Sequence, residues 1–254
     1  MRAPAIRGLG LLSGEVQSAN ILALPRPVRP GDRFRRATRE CLLALAAVDA
    51  MLEDGQATRE AIAGERTGLI YVTAAAYGAS NRAFIERQGG VMHFAYTAPA
   101  VVPAEVAIEF GVTGPYGILI GGAPATLRAV EQAARLLESG ACDRVLVLVV
   151  EIFAECADLY ARHARFYRWP LVETAAGLWL EPGTGDLSFE SSRDAGPAAA
   201  APGGERFAAG PLADVGRWRA RGVPGPVELT GRWRGEHARL IWNVEESCAR
   251  DSAA

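Results

Sequence analysis

Six apolar residues in a row, Val145-Leu146-Val147-Leu148-Val149-Val150, constrain this 254-residue chain more than any other feature. The run lacks the alternation of a strand with one wet face, so both of its faces must be covered, as in the centre of a parallel sheet. What precedes it fits that reading. Ile118-Leu119-Ile120 is a short apolar run, followed by Gly121-Gly122-Ala123-Pro124. Leu127, Val130, Ala134 and Leu137 then keep helical spacing, with Pro124 placed as the first helical residue and Gly140 as the terminator. Strand, helix, strand in this order is a βαβ unit, which predicts an α/β fold with a mostly parallel sheet flanked by helices.

The flanking segments extend this pattern. Residues 5–12 are expected as an opening strand, and the link Leu24-Pro25-Arg26-Pro27-Val28-Arg29-Pro30 cannot lie inside a helix. Cys41, Leu45, Val48 and Leu52 mark one face of a helix within residues 34–52, and Gly55 stops it. A short buried strand is expected at 67–73 and another at 175–180. After Pro182 the composition shifts, and residues 191–210 are rich in Ala, Pro, Gly and Ser, which reads as a mobile connector. A short helix at 211–221 and a hairpin follow. The hairpin strands are 227–233 and 238–242, joined by Arg234-Gly235-Glu236-His237. This predicts a domain over residues 1–182 and a C-terminal connector, helix and hairpin over 183–254.

Composition removes several classes of function. All 27 basic residues are arginine, so neither a Schiff-base lysine nor a P-loop lysine is available. A net charge of −2 gives no electrostatic grip on nucleic acid or an anionic membrane. No run of eighteen apolar residues offers a membrane span, and a cytoplasmic protein is expected. Cys41, Cys142, Cys156 and Cys248 form no C-x-x-C pair, which argues against a zinc site or a disulfide framework; neither metal nor cofactor is expected. Cys156 and His163 share a face if residues 155–166 are helical, but stand about 10 Å apart along the axis, too far for a nucleophile and its base. Gly121-Gly122 lacks the Gly-Lys-Ser/Thr of a phosphate loop, and Gly78-Ala79-Ser80-Asn81-Arg82 lacks the second glycine of a nucleophile elbow.

A family resemblance enters at Phe110-Gly111-Val112-Thr113-Gly114-Pro115. With the strand and helix that follow, this stretch resembles the β-ketoacyl synthase (thiolase-like) family, in which a Gly-Pro pair precedes a buried strand. The nucleophile then opens a helix in a Thr-Ala-Cys-Ala/Ser-Ser segment. Aligned without gaps, Gly122-Ala123-Pro124-Ala125 takes the place of that segment and Ala123 the place of the cysteine. Ser139-Gly140-Ala141-Cys142-Asp143 is similar to the family's Gly-x-x-Asp, and Glu151 to the close of its Gly-Gly-x-Glu strand. Phe34-Arg35-Arg36-Ala37-Thr38-Arg39, Arg66 to Val72 and Ala176-Gly177-Leu178-Trp179-Leu180-Glu181 also resemble family segments, so the likeness covers residues 1–182.

The resemblance implies a thiolase-like half-fold with a C-terminal hairpin and no catalytic residue. A methyl group at Ala123 cannot become the thiolate that a helix N-terminus would favour. The family's two histidines belong to its second half, and His93, His163 and His237 do not match their motifs. The family forms dimers through its first-half strands, and some systems use a non-catalytic chain-length-factor subunit paired with an active ketosynthase. The expected role is therefore such a partner in type II polyketide or fatty-acid synthesis, aryl-polyene synthesis among the options, with acyl carrier protein an indirect partner. Ile118, Leu119 and Ile120 are the expected interface. His93, Phe94 and Tyr96 are the expected tunnel lining, against ordinary core packing. A stand-alone acyl-binding or scaffold module is the alternative function, and a decayed paralogue the bland one.

Overall fold

The computed structural model describes residues 1–18, 20–75, 85–86, 98–153, 169–193, 203–222 and 225–243. Its centre is a five-stranded mixed sheet. In spatial order the strands are β1 (Ala5–Ser13), β8 (Thr174–Glu181), β6 (Arg144–Glu151), β4 (Thr67–Thr73) and β5 (Tyr116–Ile120). β6, β4 and β5 run parallel, while β8 is antiparallel to both of its neighbours. The apolar run lies in β6, and its side chains divide between two cores. Leu146, Leu148 and Val150 join the core on one face, and Val145, Val147 and Val149 the core on the other. Two buried faces are why the run does not alternate.

One face is covered by α1 (Arg39–Asp54) and α2 (Val101–Phe110). Thr38 caps α1 by accepting the Cys41 N–H at 3.3 Å, and Gly55 closes it. α1 lies directly on the backbone of β1, because Gly8 and Gly10 leave room for it. A Cβ on Gly10 would fall 2.1 Å from the Ala47 carbonyl oxygen, and one on Gly8 would fall 2.4 Å from that of Met51. α2 was not anticipated. Its Pro103 sits in the first turn, where a missing N–H costs nothing, and Gly111 ends it in the left-handed region at φ 67.

The other face carries α3 (Ala123–Glu138), α4 (Gly210–Arg221) and the 3₁₀ turn Phe207–Ala209. Beyond these helices lies a second, antiparallel sheet in the order β10 (Val227–Trp233), β11 (Glu236–Trp242), β9 (Leu187–Ser192). Its inner face buries Leu187, Val227, Leu229, Ala238, Leu240 and Trp242 in the same core as α3 and β6. Its outer face carries Glu190, Glu228, Thr230 and Arg239, with Arg239 bonded to Glu228 at 2.8 Å. The predicted hairpin is therefore present, joined by β9 and packed as a fourth layer. Two details differ from expectation. The turn is only Arg234-Gly235, with φ of 47° and 82°, so Glu236 and His237 belong to β11. The segment read as a connector begins in β9 and ends in the 3₁₀ turn, where Ala208 and Ala209 are buried; residues 194–202 lie outside the described set.

A small third sheet, β2 (Val16–Ser18), β3 (Ile21–Ala23) and β7 (Leu171–Val172), is tied to the main one by Glu173. This fully buried carboxylate accepts the N–H of Leu24 at 2.8 Å and of Phe153 at 2.9 Å, and pairs with Arg39 at the start of α1. Among the described residues no helix is long and apolar enough to cross a membrane.

The contact between α1 and β1 yields a direct test. Gly10→Ala forces a methyl group into helix backbone and should destabilise the protein by about 1–3 kcal/mol, the usual range for overpacking. Gly210→Ala, at the first residue of α4 with nothing within 4 Å of the new methyl, should be neutral or stabilising. Denaturant midpoints at unchanged slope measure both. Equal midpoints for the two variants would refute the close approach.

Candidate functional site

The carboxyl ends of parallel strands, beside the start of a crossover helix, are where open α/β sheets bind ligands. In this chain that crevice lies between the ends of β4, β5 and β6 and the first turn of α3. Ile120 leads through Gly121 and Gly122 to Ala123, the first residue of α3, with the Gly121 N–H donating to the Thr73 carbonyl at 3.0 Å. No side chain caps the helix start.

Aromatic rings and a strand backbone fill the crevice. β10 crosses the helix start so closely that a Cβ on Gly231 would sit 2.7 Å from that of Ala123. The Trp233 ring lies against Gly122, where a Cβ would come within 2.6 Å of the ring carbons. Trp233 meets Phe207 edge to face at 5.0 Å, and Phe207 meets Phe153 in the same manner at 5.2 Å. Such pairs contribute about 0.5–1.5 kcal/mol each beyond the area they bury. Phe207 holds a left-handed backbone, φ 44, which is costly for a bulky residue. The Thr126 hydroxyl in the first turn of α3 donates to the Ala208 carbonyl at 2.6 Å and holds the 3₁₀ turn in place.

Glu151, at the end of β6, completes the cluster. Its carboxyl is fully buried and accepts the N–H of Ala74 at 2.5 Å and of Ala75 at 3.0 Å. Burial pushes its pKa up to about 8, and the nearby Glu205 adds to the rise; the backbone hydrogen bonds oppose it without prevailing. Tyr71, buried beside it, has its phenol pushed well above the ordinary value, chiefly by burial. Below pH 8 the carboxyl is a neutral member of the packing rather than a general base. Among the described residues no group of His, Cys, Asp or Glu is arranged to hold a metal ion.

The other predicted residues divide into two groups. Ile118, Leu119 and Ile120 lie in β5, which among the described residues is the edge strand of the main sheet and pairs only with β4. Ile118 packs toward the α1 core and Leu119 toward the α3 core, while Ile120 is 67% exposed and Tyr116 65% exposed. β4 and β6, its neighbours inward, are buried over nearly their whole length. His93, Phe94 and Tyr96 lie outside the described residues, as do Cys156, His163 and the Gly78 to Arg82 stretch. Sequence reasoning missed the plug formed by Phe153, Phe207 and Trp233. The local signal for it was Gly231, a glycine inside a strand, which marks a close backbone approach.

Comparison with known proteins agrees with this geometry. The sequence matches the family model "Beta-ketoacyl synthase, N-terminal domain" over residues 30–165. No curated protein matches it by sequence. Among solved structures, the ishigamide ketosynthase/chain length factor superposes with a TM-score of 0.72 at 14% identity, covering 95% of this chain and 99% of that one. The ketosynthase (ApeO) in complex with its chain length factor (ApeC) from Xenorhabdus doucetiae gives 0.62 at 15%, covering 95% and 100%. A type II polyketide acyl-carrier protein in complex with its ketosynthase gives 0.62 at 16%, covering 76% and 70%. At these identities the likeness is one of fold: the chain has the thiolase-like ketosynthase fold.

The carboxyl of Glu151 predicts a pH dependence. Its folded pKa, about 8, lies above its ordinary value of 4.5, so folding favours the protonated form. The stability it allows is fully present below pH 4.5 and is lost as pH rises through 8, by an amount on the order of a few kcal/mol. Glu151→Gln should abolish that part of the alkaline decline. Thermal midpoints between pH 5 and 9 compare the two proteins, and parallel curves would contradict a buried neutral carboxyl.

Proposed function

This chain belongs to the β-ketoacyl synthase family, and from that premise we propose that it is a non-catalytic, chain-length-factor-like subunit that pairs with an active ketosynthase. The observation that carries the proposal is a helix start closely packed by β10, beside a strand edge that is open among the described residues. At the start of α3 stands Ala123, which this reading assigns to the place of the family's nucleophile, with Gly231 of β10 packed against it and Trp233 against Gly122. In this reading no thiol is available there to take an acyl group. At β5, an edge strand offers unpaired backbone groups flanked by exposed Tyr116 and Ile120. Natural proteins shield or pair such an edge, and strand addition by a partner is a recurrent means of doing so. Residues 1–182 form the ketosynthase-like part in this reading, and 183–254 its C-terminal extension. The product would be a polyketide or fatty-acyl chain of the type II systems, carried by an acyl carrier protein that meets the active subunit.

Co-expression with candidate ketosynthases tests the proposal. A stable heterodimer is expected, with an interface of the obligate kind, commonly above about 2,000 Å². Ile120→Asp should disrupt it, because the charge would be buried without a partner at a cost of several kcal/mol. Ala123→Cys should not give a condensing enzyme. A well-folded monomer that ignores every ketosynthase would favour a stand-alone acyl-binding or scaffold module, and an acyl thioester on the wild-type chain would refute the non-catalytic reading.

The same proposal assigns Phe94 and Tyr96, with His93 beside them, to the wall of the shared acyl tunnel. Removing a ring from a packed wall leaves a cavity that refills only in part. Phe94→Ala or Tyr96→Ala should therefore lengthen the products of the intact heterodimer, read as a chain-length profile. An unchanged profile from intact complexes would place these rings in the core.

A further inference from the structure

A cavity on the far side of the hairpin turn plays no part in the pairing argued above. It has a volume of about 540 Å³ and is walled by the second turn of α3, the end of β9 and the turn between β10 and β11. Arg128, Arg193 and Arg234 line it, with Ser191, Ser192 and Trp233; strand alternation puts the Ser191 side chain on the same side of β9 as the α3 helix. Three arginines and one acidic residue, Glu236, thus line the cavity, although the chain as a whole is slightly acidic. Glu236 is committed to Arg128. Among the described residues neither Arg193 nor Arg234 has a carboxylate partner.

Arg234 also occupies a position that an arginine would not take for the sake of the fold. It is the first residue of a two-residue turn that needs left-handed backbone at both positions, a place where Asn or Gly is favoured. Its guanidinium lies 5.4 Å from the centre of the Trp233 ring, within cation–π range, which holds it at the lip of the cavity. The charge is therefore placed in advance of any ligand.

We propose that this cavity binds a phosphate ester. Two guanidiniums without a carboxylate partner among the described residues match the charge of a phosphate monoester, about −1.5 to −2 at neutral pH. Their planar N–H forks suit its oxygens, and the Ser191 hydroxyl adds a neutral donor. A carboxylate, with a single charge, would leave one guanidinium uncompensated. The volume is within the range of about 300–1,000 Å³ usual for small-ligand pockets, enough for a phosphate and a small organic group. The cavity shares no residue with the β5 edge, so it stands or falls separately from the partner role.

The test is calorimetric titration of the full chain, alone or in whatever complex it purifies, at constant ionic strength. The probes are inorganic phosphate and glycerol 3-phosphate, with acetate as the control. Both phosphates should bind saturably, the ester at least as tightly, and acetate about tenfold more weakly or less, a gap of about 1.4 kcal/mol. Arg193→Gln and Arg234→Asn should each weaken binding about tenfold, and Glu236→Gln should not weaken it. Arg234→Asn installs the Asn-Gly pair that the turn prefers, so its thermal midpoint should hold or rise, and lost binding then reports lost charge. Absence of saturable binding, acetate equal to phosphate, rejection of the ester, or full affinity in the Arg193→Gln/Arg234→Asn double variant would each overturn the proposal.

Discussion

Helix α3 is packed between two sheets, and the rest of the fold accommodates that constraint. Apart from a narrow stripe of Arg128, Gln132, Arg135 and Glu138, the helix is covered on both sides, by β4 and β6 below and by β9, β10 and β11 above. A helix so enclosed needs small residues wherever backbone meets backbone. At its first turn those residues are Gly122, Ala123 and Gly231. The C-terminal sheet packs directly against that first turn, through Gly231 on Ala123 and Trp233 on Gly122. The small residues at the helix start and the fourth layer are one structural fact seen from two sides.

Closure of this crevice contrasts with what happens at β5. The main sheet is protected at its other edge, where β1 lies under α1 and alongside α4. Among the described residues β5 has a single neighbour, and it exposes Tyr116 and Ile120 at its two ends. Phe153, Phe207 and Trp233 pack at the crevice, while among the described residues the β5 edge has no partner on its outer side. That asymmetry is the physical basis of the proposed role.

Much of the architecture was legible in the sequence because it rests on local period. The uninterrupted run in β6 announced a strand with two dry faces, and Leu127, Val130, Ala134 and Leu137 announced the inner face of α3. α2 escaped because Val101–Phe110 is apolar around most of its circumference and carries a proline, so no period stands out. The three-residue and two-residue strands β2, β3 and β7 are too short to show one. The site was legible only at Ala123, through resemblance. Phe153, Phe207 and Trp233 are far apart in sequence and meet only because the second sheet folds back over α3, a tertiary event with no local signature beyond Gly231. Glu151 was visible as a strand end, but its burial depends on the turn at Phe207–Ala209, which composition had assigned to a connector.

The central claim is that β5 is completed by another chain. Amide hydrogen exchange of Tyr116–Ile120, measured in the protein alone and with its ketosynthase, tests it most directly. In a parallel edge strand, alternate N–H groups point away from the sheet and exchange freely until a partner strand accepts them. The account predicts strong new protection confined to β5 and its immediate surroundings when the complex forms. A stable complex in which the β5 amides exchange as fast as before would contradict it.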